Sequence, residues 1–348
     1  MLTDFDTIVV GSSPLLLVAA VVAAKRGESV AVIEADQSLG GAWRCDDWDG
    51  LASVELSAHY LYCSPVAYRF LARLGVVLEP MMPAPFALFG RLRLPLWTLH
   101  KIGRLRESIA DGNAEASWRE MRRLISYGRY YYPVGGAHDL ISALATSAVA
   151  AGARIIAGEC VRRVRIVGDD EYDAVECETA SGVLLGGRII TGEGATFSLA
   201  DRSGAIAVHD RRAFSKTHVL LRFEAADCAQ LTYAETARSK QGLIRRVGLA
   251  HRGGGDPVWA VDAAPGGRDR CSLIASVLDG LRGYGLIRPH AEPTAARVVM
   301  QPSSYWPPDA PSRLSALRNT QISVLNSWLC FGDSLVSFLE SATGPEMY

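Results

Sequence analysis

The segment TIVVGSSPLLLVAA, residues 7–20, constrains the fold of this chain more than any other stretch. Its start is rich in β-branched residues and predicts a buried strand over Thr7–Val10. Gly11 then permits a sharp backbone turn that a side chain would obstruct. The apolar run Leu15–Ala24 predicts a helix, and a second strand is predicted over Ser29–Glu34. The segment and its continuation therefore predict a β-α-β unit.

This unit has the layout of a dinucleotide-binding loop with an incomplete glycine fingerprint. The positions of G-x-G-x-x-G hold Gly11, Ser13 and Leu16, and Pro14 suits the first helical turn. Ser13 is small enough for the amides at the helix N-terminus to reach a pyrophosphate, whereas Leu16 is expected to crowd the helix against the strand. Glu34, at the end of the second strand, can accept hydrogen bonds from both ribose hydroxyls of an adenosine. The unit alone fits either a cofactor loop or ordinary α/β packing.

Composition excludes several classes of protein. A length of 348 residues, 49% of them hydrophobic, predicts a soluble protein of one or two domains. The net charge of -1 does not favour a nucleic-acid partner, so none is expected. Its seven cysteines form no C-x-x-C pair, which is typical of a reducing, cytoplasmic compartment. The run Leu15–Ala24 is about half a membrane span, so no transmembrane segment is expected. No metal site is expected, because the histidines lack metal-like spacing. Besides His59, they are His100, His138, His209, His218, His251 and His290.

Two further segments follow the second strand. GGAWRCDDWDG, residues 40–50, places paired glycines six residues after Glu34, where the chain can pass close beside a dinucleotide. A plain Gly-Gly turn is the alternative. The stretch VELSAHYLYC then ends an extended segment at His59 and Tyr60, before an amphipathic helix.

These stretches together resemble a known family. IVVGSSP, AVIEADQSLGGAW and ELSAHYL are similar to the N-terminus of FAD-dependent oxidoreductases of the flavin amine oxidase, phytoene desaturase and protoporphyrinogen oxidase type, whose architecture UDP-galactopyranose mutase shares. Residues 130–166, the hairpin VECETASGVLLGGRIITGEGA and the terminal NSWLCFGDSL resemble the family's later signatures in the family's order. The resemblance implies an α/β fold: a Rossmann-like FAD-binding domain with an interposed α+β substrate domain.

The resemblance also implies the site residues. Glu34 binds the adenosine ribose, the double glycine passes along the pyrophosphate, Val161 contacts adenine through its backbone, and the SAHY segment lies beside the isoalloxazine ring. The full set of expected FAD contacts is Gly11, Ser12, Ser13, Pro14, Glu34, Ala35, Gly40, Gly41, Ala42, Trp43, Ser57, Ala58, His59, Val161, Thr191, Gly192, Gly332 and Asp333. The catalytic candidates are His59, as a proton relay, and Tyr60 beside it; the alternative for His59 is a hydrogen bond to backbone carbonyls.

The implied domains are discontinuous. Residues 1–75, 133–208 and 319–348 are expected to form the FAD-binding domain, and residues 76–132 and 209–318 the substrate and lid domain. No second glycine loop with a following acid is found for NAD(P). The chain ends soon after Asp333, so a second subunit could complete the flavin site in a homodimer.

A basic segment lies in the expected substrate domain. Residues 91–130 hold nine Arg and Lys against four Asp and Glu, a charge of +5, and follow the exposed-looking apolar loop MMPAPFALFG. Together they fit a lid that recruits an anionic small molecule or touches a membrane surface, or else a pair of solvated helices. The tyrosines of YGRYYYP, residues 127–133, fit either the wall of a substrate cavity or ordinary packing.

Three functional hypotheses follow. The first is an FAD-dependent oxidoreductase acting on a small organic substrate by hydride transfer through flavin N5. The second is a flavin-dependent isomerase of the sugar-mutase kind. The third is a non-catalytic binding protein descended from a flavoprotein. The incomplete glycine fingerprint is consistent with this third hypothesis.

Overall fold

The computed structural model describes residues 4–63, 65–96, 129–168, 173–192, 197–200, 206–208, 214–236, 243–251, 255–264, 266–303 and 322–325. Within these ranges the α-helices are α1 (Pro14–Lys25), α2 (Pro65–Arg73), α3 (Gly136–Ala150) and α4 (Arg270–Gly283). The strands of the first half are β1 (Phe5–Val10), β2 (Val30–Glu34), β3 (Cys45–Trp48), β4 (Leu51–Glu55), β5 (Leu61–Cys63), β6 (Leu78–Pro80), β7 (Phe86–Phe89), β8 (Leu92–Pro95), β9 (Arg129–Pro133) and β10 (Arg154–Ala157). The later strands are β11 (Arg163–Gly168), β12 (Asp173–Glu178), β13 (Val183–Gly192), β14 (Ser198–Ala200), β15 (Ile206–Val208), β16 (Phe214–Arg222), β17 (Tyr233–Thr236), β18 (Ile244–His251), β19 (Val258–Ala263), β20 (Ala295–Ser303) and β21 (Ile322–Leu325).

A nine-stranded sheet contains the predicted β-α-β unit. Its parallel part has the order β10-β2-β1-β13-β21, and β13 turns back through antiparallel β12 and β11. This is the strand order of a doubly wound nucleotide-binding sheet, with the switch point between β1 and β13. The Rossmann-like fold expected from the sequence is therefore confirmed, and each bound of the observed unit lies within two residues of the predicted one.

Helix α1 is buried along almost its whole length. The eleven residues Pro14–Ala24 are all buried, because the helix lies against the sheet and packs with α3 and α2 in one apolar cluster. Side chains of the opposite sheet face, including Ile8 and Ile189, pack with Val161, which precedes β11, and with Val164 and others of the antiparallel strands. Both faces of the parallel strands are thus covered, as their uninterrupted apolar sequences predict.

A seven-stranded sheet has the order β20-β16-β19-β18-β17-β7-β8. One face packs against α4 through residues such as Val219, Val261 and Leu281. The other face, with Leu220, Ala260 and Tyr233, packs against β4 and β9. This second face is therefore turned toward the nucleotide-binding side of the molecule.

Two expectations about the segment around the basic region change. The prediction that MMPAPFALFG forms an exposed loop is wrong for Phe86–Leu88. These residues are buried, because they pair with β17 and extend the seven-stranded sheet. Residues 97–128, which include most of the proposed lid, lie outside the described residues. Tyr130 and Tyr132 are buried packing residues.

Candidate functional site

The turn after β1 brings the first predicted cofactor residues to the carboxyl edge of the parallel sheet. Gly11 has φ +103°, and its N–H donates to the carbonyl of Ile33 at 2.8 Å. Ser13 is the residue that precedes the helix, and Pro14 occupies its first turn. The predicted role of Gly11 as a turn residue fits this conformation, which L-residues adopt only with strain.

Leu16 does not crowd the helix away from the strand as the sequence predicted. A Cβ built on Gly11 would lie 2.9 Å from Leu16 Cδ1, and one built on Gly192 would lie 3.6 Å from the same atom. The leucine side chain, 4% exposed, therefore occupies room that the two glycines leave open. The missing third glycine is thus compensated by glycine at two neighbouring strand ends.

Glu34 is held from inside the loop. Its Oε2 accepts hydrogen bonds from Ser12 N at 2.9 Å and Ser12 Oγ at 2.5 Å, and its Oε1 accepts from Asp36 N at 3.0 Å. A carboxylate has about four acceptor positions. One position on Oε1 is left for a ribose hydroxyl, where the sequence predicted that two hydroxyls would bind.

Ser12 links the loop to the double-glycine segment. Its hydroxyl accepts a hydrogen bond from Gly40 N at 2.8 Å while donating to Glu34, and the residue is fully buried. Ser12 therefore supports the loop from within, and its N–H and hydroxyl both bind groups of the chain itself. Ala35 and Ala42, the two remaining expected contacts in this region, are exposed.

Ser13 has a different environment. Its Oγ is buried and has no hydrogen-bond partner, although it lies at the N-terminus of α1. Gly41 passes over it, since a Cβ on Gly41 would lie 3.6 Å from Ser13 Cβ. A buried hydroxyl at the positive end of a helix is suited to donate to an anionic oxygen, such as that of a pyrophosphate.

The adenosine side of the expected site is assembled at the same edge. Gly158 N donates to Asp36 O at 3.0 Å and Glu159 N donates to Glu34 O at 2.9 Å, which holds the connection before Val161 against the end of β2. Thr191 pairs with Val10, so the end of β13 lies beside the loop. Gly332 and Asp333 lie outside the described residues.

A second group of expected residues surrounds His59. Its ring stacks on Trp43, with centroids 4.3 Å apart and planes inclined by 17°. Its Nδ1 lies 3.5 Å from Glu55 Oε2, and Glu55 Oε1 accepts a hydrogen bond from Ala137 N at the start of α3. Burial lowers the pKa of His59 to about 3, so the ring is neutral above acidic pH. As a proton relay it would have to act from its neutral form.

The neighbouring residues contact the seven-stranded sheet. Ser57 Oγ donates to Asp262 Oδ1 at 3.1 Å. Ala58 packs on Gly248, where a Cβ would come within 2.7 Å of Ala58 Cβ. Tyr60 makes an edge contact with Tyr233, with ring centroids 4.7 Å apart. The 57–60 segment thus lies between the nucleotide-binding loop and the second sheet.

A row of charged residues crosses this face of the seven-stranded sheet, and the sequence reasoning missed it. The strand register places His218, Asp262, Arg246 and Glu235 directly opposite one another on β16, β19, β18 and β17. His218 Nδ1 lies 2.6 Å from Asp262 Oδ1, and Arg246 Nη1 lies 3.9 Å from Asp262 Oδ2. These residues are far apart in sequence, so their spacing gave no signal.

The charges in this row affect each other. Burial alone would raise the pKa of Asp262, but the hydrogen bond from His218 and the charge of Arg246 hold it below its usual value. Burial lowers the pKa of the nearby Lys216 to about 8, and Arg246 acts in the same direction. Asp262 is therefore an ionised carboxylate between cationic groups.

The residues present fit a flavin dinucleotide. The unpartnered Ser13 hydroxyl and the N-terminus of α1 suit a pyrophosphate, and Glu34 and Val161 suit the adenosine. Trp43 and the 57–60 segment lie on the path toward the charged row. Among the described residues no group of three His, Cys, Asp or Glu side chains could hold a metal ion.

Comparisons with known proteins agree with this fold. Residues 9–74 match the family model of an NAD(P)-binding Rossmann-like domain. A putrescine oxidase bound to putrescine has a TM-score of 0.60 at 14% identity, covering 97% of this chain and 98% of that chain. An oxidoreductase from Methanosarcina mazei has a TM-score of 0.59 at 14% identity, with 92% and 94% covered. A glycine oxidase from Bacillus cereus has a TM-score of 0.50 at 17% identity, with 86% and 84% covered.

These similarities concern the fold. They confirm the predicted Rossmann-like domain and show that this chain shares its overall fold with a putrescine oxidase. No curated protein sequence matches the chain. In the described ranges, no helix combines the length and apolarity needed to cross a membrane.

Proposed function

We propose that this protein is an FAD-dependent, amine oxidase-like oxidoreductase that acts on a small organic substrate by hydride transfer through flavin N5. The observation that carries the proposal is the unpartnered, buried Ser13 hydroxyl at the N-terminus of α1, on the sheet edge where Glu34 and Val161 also lie. A buried hydroxyl without a partner is unfavourable by about 1–3 kcal/mol, so a bound phosphate oxygen would relieve it. The fold shared with putrescine oxidase and glycine oxidase supports a substrate with a C–N bond.

FAD is favoured over NAD(P) although the matching family model is named for NAD(P). Among the described residues we find one glycine loop of this kind, after β1. The contacts of Gly41, Trp43 and the 57–60 segment connect this loop with the polar row of the second sheet. The bound flavin would supply the electron acceptor. Trp43 and His59 would pack beside it as a stacked pair, and Tyr60 would close the site against the second sheet.

We retain the proposed domain division. Residues 1–75, 133–208 and 319–348 would bind FAD, and residues 76–132 and 209–318 would form the substrate domain. The two large sheets support this division, since their strands fall in these ranges wherever the chain is described. The positive side chains of Lys216 and Arg246 support an anionic group on the substrate. A homodimer remains part of the proposal.

We also propose a cytoplasmic location. The described cysteines, Cys45, Cys63, Cys160, Cys177, Cys228 and Cys271, are all free thiols. Free thiols, two of them exposed, fit a reducing compartment.

The proposal is tested by anaerobic reduction of the FAD-loaded protein. A panel of primary amines and matched alcohols, including putrescine, glycine, benzylamine and benzyl alcohol, is mixed with the protein, and the visible flavin absorption is followed. Bleaching by a panel member supports the oxidoreductase. Turnover of a nucleotide sugar only after dithionite reduction would favour the sugar-mutase-like isomerase. A protein that takes up no FAD would be the non-catalytic binding protein.

A further inference from the structure

His218 and Asp262 form a buried pair that the assignments above leave without a role. His218 is 2% exposed, and its Nδ1 lies 2.6 Å from Asp262 Oδ1. Because an ionised carboxylate only accepts, Nδ1 carries the proton and donates it to Asp262. In the neutral ring Nε2 then carries a lone pair.

The Nε2 atom of His218 is buried and has no hydrogen-bond partner. Leaving such an atom unpaired is unfavourable by about 1–3 kcal/mol. The bond to Asp262 fixes the ring, so Nε2 cannot turn away to find a partner without breaking that bond. A hydrogen-bond donor on a bound molecule would supply the partner that this atom lacks within the chain.

The pair is linked to the proposed cofactor site by direct contacts. Asp262 Oδ1 also accepts a hydrogen bond from Ser57 Oγ at 3.1 Å. His59, two residues after Ser57, stacks on Trp43. Trp43 ends the short helical turn that begins at Gly41, which passes over Ser13. The pair therefore lies at the far end of a continuous line of residues that begins at the phosphate-binding turn.

We propose that His218 is the catalytic base of the oxidation and that Asp262 is its positioning residue; the inference rests on the proposed function. The substrate class is a compound whose oxidised carbon carries at least one hydrogen and an uncharged amino or hydroxyl group with an N–H or O–H bond. The C–H bond breaks, and a bound flavin would be the acceptor of its hydrogen together with the electron pair. The N–H or O–H bond breaks and its proton moves to His218 Nε2, while a C=N or C=O double bond forms. Asp262 stabilises the resulting imidazolium.

The surroundings of the pair favour an uncharged donor. The titratable and charged groups that face it are Lys216 on β16, Arg246 on β18, Glu235 and Tyr233 on β17, Glu55 on β4, and His59 and Tyr60 after β4. The cations Lys216 and Arg246 disfavour a further positive charge on a substrate ammonium at this place. A neutral amine or a hydroxyl meets no such repulsion.

The test compares His218→Asn with the matched control His290→Asn, which changes an exposed histidine. Asparagine preserves a donor toward Asp262 and cannot take up the proton. With the fastest panel substrate, we expect the anaerobic reduction rate to fall about 10²–10⁴-fold in His218→Asn, with FAD affinity unchanged, and to stay unchanged in His290→Asn. The wild-type rate should rise with pH through one ionisation that His218→Asn lacks. Asp262→Asn should change this pH profile as well, because the carboxylate that holds the imidazole is lost.

A second measurement does not depend on turnover or on the variants folding. Imidazole ¹⁵N NMR of the wild-type holoprotein should show His218 protonated at Nδ1 and unprotonated at Nε2 at neutral pH. A proton resident on Nε2, or a His218→Asn rate and pH profile equal to wild type in FAD-loaded protein, would overturn this inference alone. A wild-type protein without FAD, or without a reducing substrate in the panel, would overturn the proposed function and this inference with it.

Discussion

Replacing Gly11 with alanine tests how the chain accommodates a leucine at the third fingerprint position. The new Cβ would meet Leu16 Cδ1 at 2.9 Å, and the residue would keep φ +103°. The positive φ is unfavourable for an L-residue by about 1–2 kcal/mol. Overpacking against a buried side chain adds about 1–3 kcal/mol. The free energy of unfolding should therefore fall by about 2–5 kcal/mol.

Gly27→Ala provides the matched control. Gly27 has φ +85°, and nothing lies within 4 Å of a Cβ built on it. This variant should show the backbone strain alone, about 1–2 kcal/mol. The difference between the two variants, about 1–3 kcal/mol, measures the contact with Leu16.

The double variant Gly11→Ala/Leu16→Ala completes the cycle. Leu16→Ala alone should lower the free energy of unfolding by about 2–5 kcal/mol, because it removes a buried side chain. In the double variant the new methyl group occupies the space that the Leu16 side chain vacates. The decrease in the free energy of unfolding of the double variant should therefore be smaller than the sum of the two single decreases by about 1–3 kcal/mol. Urea denaturation followed by circular dichroism measures all four variants. Strictly additive losses, together with equal effects at Gly11 and Gly27, would refute the idea that Leu16 fills the space left by Gly11.

Three further predictions concern single side chains. Burial lowers the pKa of His59 to about 3, so as pH falls this histidine is protonated in the unfolded chain before it is protonated in the folded protein. The free energy of unfolding therefore decreases as pH falls below about 6.5. Relative to neutral pH, this loss should reach about 2 kcal/mol at about pH 5 and should be absent from denaturation curves of His59→Gln. Ser13→Ala should leave the apoprotein at least as stable as wild type, because it removes an unpartnered hydroxyl, and should weaken FAD binding severalfold. A thermal-shift assay with and without FAD would show both effects. An FAD-induced rise in melting temperature equal to that of wild type would contradict a contact between Ser13 and the pyrophosphate. Glu34→Gln should raise the dissociation constant for FAD about tenfold by weakening a charge-assisted hydrogen bond, while the exposed control Asp36→Asn should not, as fluorescence titration would report.

The fold of the nucleotide-binding side could be predicted because its signals are local. The strand, turn and helix of residues 7–24 follow one another in sequence, and each residue type favours the structure it adopts. The paired glycines and the hairpin before Gly192 likewise depend on neighbouring residues. These segments converge at one sheet edge because the carboxyl ends of parallel strands lie together.

The properties that sequence could not provide depend on register and packing. The fit of Leu16 requires Gly192, on a strand that is distant in sequence. The row from His218 to Glu235 exists because four antiparallel strands align these residues, and a shift of one residue would turn each side chain to the other face. The low pKa of His59 follows from burial, which a histidine in an extended segment does not reveal.

The measurement that tests the central claim most directly is the visible absorption spectrum of the purified protein, combined with titration of the cofactor-free protein with FAD and chromatography of the cofactor released by heat. The account predicts flavin absorption bands and release of FAD, because the sheet edge with Ser13, Glu34 and Val161 remains suited to a dinucleotide despite Leu16. A protein that shows no visible absorption and takes up no FAD in the titration would contradict it.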